Sequence, residues 1–294
     1  MKRSTEQIAA GPPLHFKIGE IPIALQSDMD ELREEFAALY HGSLQAGPPQ
    51  DDAIAMDVTA TGRGLLRGRR WAVCGDGEKI STVRRWEELM PYLEWGINYR
   101  VIASRRRFLQ LHAATLVRHG QGVLFAATSG AGKSTLAAGL LARGWKYLSD
   151  EFALIDPETL CIHPFPKALC IKAGAFDVVE QAGLPLWRRR YYVKAFKGRV
   201  GYVCPEEVRP DALAGPAPIR FVFFPRYIDG TEPRIVPVSR AAAAFSLSGF
   251  VLNHGAFGGR AASTLASVAG QALSFRLESG PLTETCELIE SVVD

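Results

Sequence analysis

Excess charge of one sign is missing from this sequence: 34 basic residues against 31 acidic ones leave a net charge of +3 over 294 residues. No whole-chain positive field is implied, so charge balance offers no reason to infer a nucleic-acid partner. Long apolar runs are missing as well. No stretch reaches the roughly 18 residues that a membrane-spanning helix needs. Lys2 and Arg3 are followed by no apolar core, so the N-terminus does not read as a secretory signal. The cysteines are few, odd in number and scattered (Cys74, Cys161, Cys170, Cys204, Cys286), and nowhere form CxxC. That pattern argues against a disulfide scaffold or a zinc site, and a reducing cytoplasm fits best. No internal repeat is present. What is there is ordinary for a globular chain, with 47% hydrophobic and 22% charged residues. The expectation is a soluble cytoplasmic protein with no membrane span, built as one large α/β domain or a small domain joined to a medium one.

Organisation shifts along the chain. Leu14–Ile18 and Ile21–Leu25 read as short strands, with Pro22 limiting the second to an edge. A helix follows to Leu39, with Asp28 as its expected N-cap. Gly42–Asp52 is a loop, and alternation resumes at Ile54–Val58 and Trp71–Cys74. Helical spacing runs from Val83 to Arg105, where Pro91 should kink or split the helix. Phe108–Val117 reads as one strand containing His112, and a turn leads into the strand Val123–Ala127. The next expected strand, Lys146–Ile155, carries Ser149-Asp150-Glu151. Phe221–Phe224 is a further strand, and helices are expected near Ser239–Leu252 and Ala261–Ala272.

Chemistry concentrates between strand and helix at Ala127-Thr128-Ser129-Gly130-Ala131-Gly132-Lys133-Ser134-Thr135. This matches the relaxed P-loop pattern, with Ala127 in place of the first glycine. In such a loop the backbone N–H groups curl round phosphates and the following helix presents its positive end. Lys133 would reach the β/γ-phosphates and Ser134 would bind magnesium. Asp150 and Glu151 follow 17 and 18 residues after Lys133. Adjacent carboxylates there suit two tasks, holding Mg²⁺ (Asp150) and accepting a proton from an attacking hydroxyl. His112, taken alone, reads as a hydrogen-bonded core histidine. Three basic clusters, Arg67/Arg69/Arg70, Arg105–Arg107 and Arg188–Arg190, read first as solvated surface.

The order of His112, the loop and the acid pair resembles that of HPr kinase/phosphorylase. More closely, the chain resembles the HPr-kinase-related family A. The likeness is carried by Leu93-Glu94-Trp95-Gly96-Ile97-Asn98, Leu111-His112-Ala113-Ala114, the loop, Leu148-Ser149-Asp150-Glu151-Phe152-Ala153-Leu154, Phe165-Pro166-Lys167, Lys197-Gly198 and Phe224-Pro225-Arg226-Tyr227. The resemblance implies an α/β kinase domain over residues 86–294, similar in fold to HPr kinase and phosphoenolpyruvate carboxykinase. Its mixed sheet has flanking helices, and a small N-terminal α+β region over residues 1–85 precedes it. It also implies ATP and Mg²⁺, a serine-type hydroxyl acceptor and an active-site role for His112. Glu151 matches an Asp assigned as proton acceptor in the HPr enzymes, which leaves open which of Asp150 and Glu151 is the base. Those enzymes carry a Glu-Ile-Arg-Gly segment that supplies a metal ligand. The nearest stretch here, Cys170-Ile171-Lys172-Ala173-Gly174, has no carboxylate. The metal shell is therefore expected to differ, and HPr itself is not implied as substrate. HPr kinases are hexamers, so a homo-oligomer is compatible with the likeness.

The expected activity is transfer of the ATP γ-phosphate to a serine or threonine of a protein or peptide partner. Catalysis would come from Lys133, Asp150, Glu151 and His112, with Lys167, Lys197 and Arg226 as candidate phosphate or acceptor contacts. A small-molecule hydroxyl kinase and a nucleotide-dependent switch or assembly factor are the alternatives.

Overall fold

In the computed structural model, residues 11–47, 50–61, 69–195 and 197–294 are described. Arg67 and residues 1–10, with Lys2 and Arg3, lie outside the described residues, as do the side chains of Arg188–Arg190. The chain is a mixed α/β protein that divides into two units. One comprises the described residues up to Val101 together with Arg190–Gly198; the other comprises Ile102–Arg189 and Arg199–Asp294.

In the first unit, alternating apolar residues produce strands β1 (Leu14–Ile18) and β2 (Ile21–Ser27), with Phe16, Ile18, Ile23 and Leu25 buried. Helix α1 (Asp30–Leu39) connects β2 to its parallel neighbour β3 (Ile54–Thr61), and β4 (Arg70–Gly75) and β5 (Glu78–Val83) complete a sheet in the order β1-β2-β3-β4-β5. β2 is not an edge strand. Pro22 is tolerated because it faces Lys17 of β1 while the pairing with β3 begins only at Ile23. Asp28 does not cap α1. Met29 holds that position without a side-chain bond, and Asp28 accepts instead from the Ala60 N–H. The expected helix from Val83 resolves into β5, a single 3₁₀ turn and α2 (Leu89–Ser104). Pro91 therefore falls in the first turn of α2, where its missing N–H has no intrahelical acceptor to lose. Buried Glu94 accepts from the Tyr40 hydroxyl.

The second unit opens with β6 (Leu109–Leu111), β7 (Ala113–Arg118) and β8 (Gln121–Ala126), followed by α3 (Lys133–Ala142). Next come β9 (Lys146–Ser149), β10 (Ala153–Ile155), β11 (Cys161–His163), β12 (Leu169–Lys172) and α4 (Phe176–Gln181). The chain continues through β13 (Trp187–Lys194), β14 (Gly198–Val203), α5 (Pro205–Val208), β15 (Ala217–Tyr227) and β16 (Arg234–Pro237). It closes with α6 (Arg240–Ser248), α7 (His254–Phe257), α8 (Gly259–Gln271), β17 (Leu273–Ser279) and α9 (Leu282–Val293). The main sheet runs β6-β10-β11-β15-β8-β7-β9, with β17 added to β15 and β16 to β17. β8, β15 and β17 are mutually parallel around β15.

Successive residues of the central strands feed opposite faces. Leu116, Val123, Phe125, Phe221 and Phe223 join the buried residues of α3 and α9, whereas Leu124, Ala126 and Val222 pack with Leu247, Leu265 and Val268 of α6 and α8. A sheet covered on both faces explains why these strands read as nearly continuous apolar runs. α3 is buried on most of its circumference, and Gly139 lets α9 approach: a Cβ there would stand 2.7 Å from Leu282 Cδ1 and 3.0 Å from Cys286 Sγ. Two strands expected to be continuous are interrupted, and both interruptions fall at candidate site residues. His112 separates β6 from β7, because the chain leaves its partner β10 there and joins β8 and β9. Ser149-Asp150-Glu151-Phe152 likewise separates β9 from β10. No helix among the described residues is long and apolar enough to cross a membrane.

Cys286 gives this packing a pH signature. Burial pushes its thiol up to about 12, so the folded chain keeps a proton that the unfolded chain releases nearer 9. The native state then binds more protons than the unfolded state between those values, and stability falls as pH rises through that window. We expect the unfolding free energy to decline less steeply above pH 9 in Cys286→Ala than in wild type, measured by urea titrations across pH. Equal slopes would contradict the buried neutral thiol.

Candidate functional site

The site is assembled from the 127–135 loop, the gap between β6 and β7, and the gap between β9 and β10. The loop leaves the end of β8 with Thr128, Ser129 and Gly130 exposed, and the Ala131 N–H returns to Thr128 O at 3.3 Å. Gly130 and Gly132 adopt φ of +98° and +89°, a left-handed backbone that side-chain-bearing residues rarely take. Gly132 caps α3, and the first helical bond is Leu136 N–H to Gly132 O at 2.9 Å. The N–H groups of Lys133, Ser134 and Thr135 therefore have no acceptor within the helix, and they sit at the positive end of its dipole.

Lys133 is the first residue of α3 and is only 6% exposed. Its ammonium donates to Ala127 O at 2.6 Å and to Thr128 O at 3.1 Å, and meets His112 Nε2 at 3.2 Å. An ammonium has only donors, so Nε2 must be the acceptor and the ring proton belongs on Nδ1. Nδ1 lies 3.1 Å from Glu151 O, which completes a neutral tautomer donating to the acid pair's own backbone. The His112 N–H, released from the sheet, donates to Phe250 O at 2.8 Å. A single imidazole thus ties the loop lysine to the acid-bearing turn.

That turn is held by Ser149, whose hydroxyl accepts from the N–H groups of Glu151 and Phe152, both at 3.3 Å. Phe152 stacks on Phe165 at 5.0 Å, the Phe165 N–H donates to Leu148 O, and the Tyr147 hydroxyl donates to Lys167 O at 3.0 Å. The segment carrying Lys167 is therefore stitched along β9, and Lys167 is 1% exposed rather than on the surface. Asp150 is buried, while Glu151 and Ser134 are half-buried.

A cleft of about 490 Å³ opens beside the loop. Ala127, Thr128 and Ala131 form one wall, Phe224, Pro225, Val238 and Phe250 supply apolar surface, and Arg226 and Arg276 supply charge. Arg226 was expected from the sequence, and it lies here rather than in the gap holding the acids. Lys197 belongs to the Arg190–Gly198 segment of the first unit. Arg107 of the second basic cluster stacks on the Phe108 ring, with its guanidinium carbon 4.3 Å from the ring centroid.

Three residues beside the loop were not singled out from the sequence. A Cβ on Gly130 would stand 3.6 Å from Lys172 Nζ, and one on Gly132 would stand 3.7 Å from Tyr227 Cβ. Arg276 faces the cleft because β17 pairs with β15 in a register that sets it opposite Phe224. The Tyr227 phenol is raised above its ordinary value, first by its hydrogen bond to Asp229 and then by that carboxylate's charge. Among the described residues no group of three or more His, Cys, Asp or Glu side chains could hold a metal ion.

Over residues 80–181, less than half of the chain, the sequence matches the family model described as SynChlorMet cassette protein ScmC. No curated protein matches. Among solved structures, the chain is similar to the HPr(Ser) kinase/phosphatase from Coxiella burnetii, with 15% identity and a TM-score of 0.33 over 63% of this chain and 87% of that one.

The tautomer can be read directly. Imidazole ¹⁵N shifts of His112 at neutral pH should show a protonated Nδ1 and an accepting Nε2, and Lys133→Met should alter the Nε2 shift most. A protonated Nε2 would contradict the arrangement of Lys133 and Glu151 around the ring.

Proposed function

We propose that the second unit is an ATP- and Mg²⁺-dependent kinase that passes the γ-phosphate to a serine or threonine hydroxyl of a protein or peptide partner. One observation carries this reading: His112 bonds the Lys133 ammonium through Nε2 and the Glu151 backbone through Nδ1, joining the loop to the acid pair. A polyphosphate suits the residues present. Gly130 and Gly132 present no Cβ atom at two points of the loop, helix amides without an intrahelical acceptor follow, and a buried ammonium stands behind them. Ser134 and Asp150 are the residues that would hold Mg²⁺, a cation that takes one or two protein oxygens and completes its shell with phosphates and water. When bound, Mg²⁺ would offset charge on the phosphate oxygens.

Sheet order supports a division of the site. In open α/β sheets ligands gather beyond the carboxyl ends of parallel strands. The cleft lies beside β8, β15 and β17, whereas the acid pair sits in the turn that joins β9 to β10 and is not among the residues lining the cleft. A nucleoside suits the cleft, with its mixture of apolar wall and two guanidinium groups and its volume in the range of small-ligand pockets. Arg226 and Arg276 are then assigned to the nucleotide. The acceptor hydroxyl is assigned to the side of Asp150, Glu151 and buried Lys167. There one carboxylate takes the hydroxyl proton while Lys133 and the loop amides hold the phosphates in place. His112 keeps the lysine and the acid turn in register.

The test is phosphate incorporation from labelled Mg-ATP into serine- and threonine-containing peptides and small hydroxyl compounds, with a separate nucleotide titration. Lys133→Ala should weaken nucleotide binding or abolish turnover in a folded protein. Asp150→Asn and Glu151→Gln should each lower transfer by about 10²–10⁴-fold, far more than they change ATP affinity. The variant that loses transfer but keeps its Mg²⁺ dependence marks the base, and the one that loses Mg²⁺ dependence marks the metal ligand. Wild-type transfer rates in both acid variants would overturn the kinase mechanism and favour a nucleotide-dependent switch.

A further inference from the structure

We propose that Lys172 is a second phosphate-facing cation of the 127–135 loop, supplied from the end of β12. This rests on the nucleotide reading above and adds to it a residue that the loop pattern does not contain.

Strand alternation sets the side chain's direction. Leu169 and Ile171 are fully buried in the core shared with α3, so Cys170 and Lys172 point to the opposite face of β12. The antiparallel register with β14, running from Leu169↔Val203 to Lys172↔Val200, fixes where that face ends. Lys172 is the last residue of the strand, and its ammonium reaches the middle of the loop, 3.6 Å from where a Gly130 Cβ would be. Gly130 is one of the two left-handed glycines, in the exposed part of the loop where backbone amides are open to a ligand. The Lys172 ammonium has no hydrogen bond or ion pair with another described residue, so no carboxylate neutralises it there.

The two lysines differ in kind. Lys133 is buried and already anchored by two loop carbonyls, so part of its charge is spent on the loop itself. Lys172 is exposed and its ammonium has no partner among the described residues, so its charge is available to whatever the loop holds. A nucleoside triphosphate carries more negative charge than one Mg²⁺ and one lysine offset. A further cation beside the loop therefore adds both affinity for the polyphosphate and stabilisation of charge during transfer. The chemical class recognised is the polyphosphate, irrespective of the nucleoside attached to it.

The experiment uses the full chain and three proteins: wild type, Lys172→Met and Lys172→Arg. Calorimetric titrations with Mg-ATP and with inorganic pyrophosphate are run at low and moderate salt, and thermal melts establish that each variant is folded. Lys172→Met should bind both ligands about tenfold more weakly, as expected for loss of one exposed charge-assisted hydrogen bond. It should also show a flatter salt dependence. Lys172→Arg should restore binding to within about threefold, because it keeps the charge. If wild type binds both ligands and Lys172→Met matches it, the assignment of Lys172 is overturned while the kinase reading stands. If wild type binds neither ATP nor pyrophosphate, the nucleotide reading falls, and this inference falls with it.

Discussion

The bond between Lys133 and His112 organises the second unit's candidate site. A lysine ammonium that is 6% exposed has lost most of its hydration, and the loss must be balanced by acceptors close at hand. Two loop carbonyls and one imidazole nitrogen provide them. The carbonyls hold the loop closed on its own helix, and the imidazole extends the network to the turn after β9. Removing the lysine would leave Ala127 O without this donor and His112 Nε2 without its partner. The loop geometry and the position of the acids are thus one problem in polar satisfaction, solved by one side chain.

The sheet makes this possible by breaking its strands where the site needs free backbone. A continuous strand through His112 would bind its N–H into the ladder and point its neighbours to the two core faces. The interruption gives the N–H to Phe250 O and leaves the ring to span the gap. The break between β9 and β10 works the same way, with Ser149 substituting for strand partners by accepting two N–H bonds. Stacking of Phe152 on Phe165 then anchors the far side of the turn. Rigid core packing up to Leu148 and from Ala153 onward confines the irregular backbone to the residues between them.

Much of this was legible in the chain, and what was not has a physical reason. The left-handed glycines, the lysine and the adjacent carboxylates are local features, and local spacing exposes them. Strand positions were legible for the same reason, since burial on alternate faces writes itself into the pattern. The interruptions at His112 and at Asp150-Glu151 were not, because apolar residues continue on both sides and nothing in a run of Leu, Ala and Phe marks a change of partner. Pro91 read as a kink because the helix start at Leu89 depends on the preceding strand and 3₁₀ turn. Arg276 and Lys172 were invisible as site residues. Their relevance depends on β17 lying beside β15 and on β12 ending beside the loop, and both are facts of topology rather than of spacing.

Topology also explains how one loop can serve two chemically different neighbourhoods. β8 has β15 on one side and β7 on the other, and the loop at its end borders the cleft lined by Phe224, Arg226 and Arg276, while the acid turn joins β9 to β10. The cleft side carries guanidinium groups and apolar surface, while the turn side carries carboxylates. An acid pair close to a bound polyphosphate would repel it unless cations intervene. Lys133 is tied to the acid turn through His112, so its positive charge is held at the junction of the loop carbonyls and that turn's backbone.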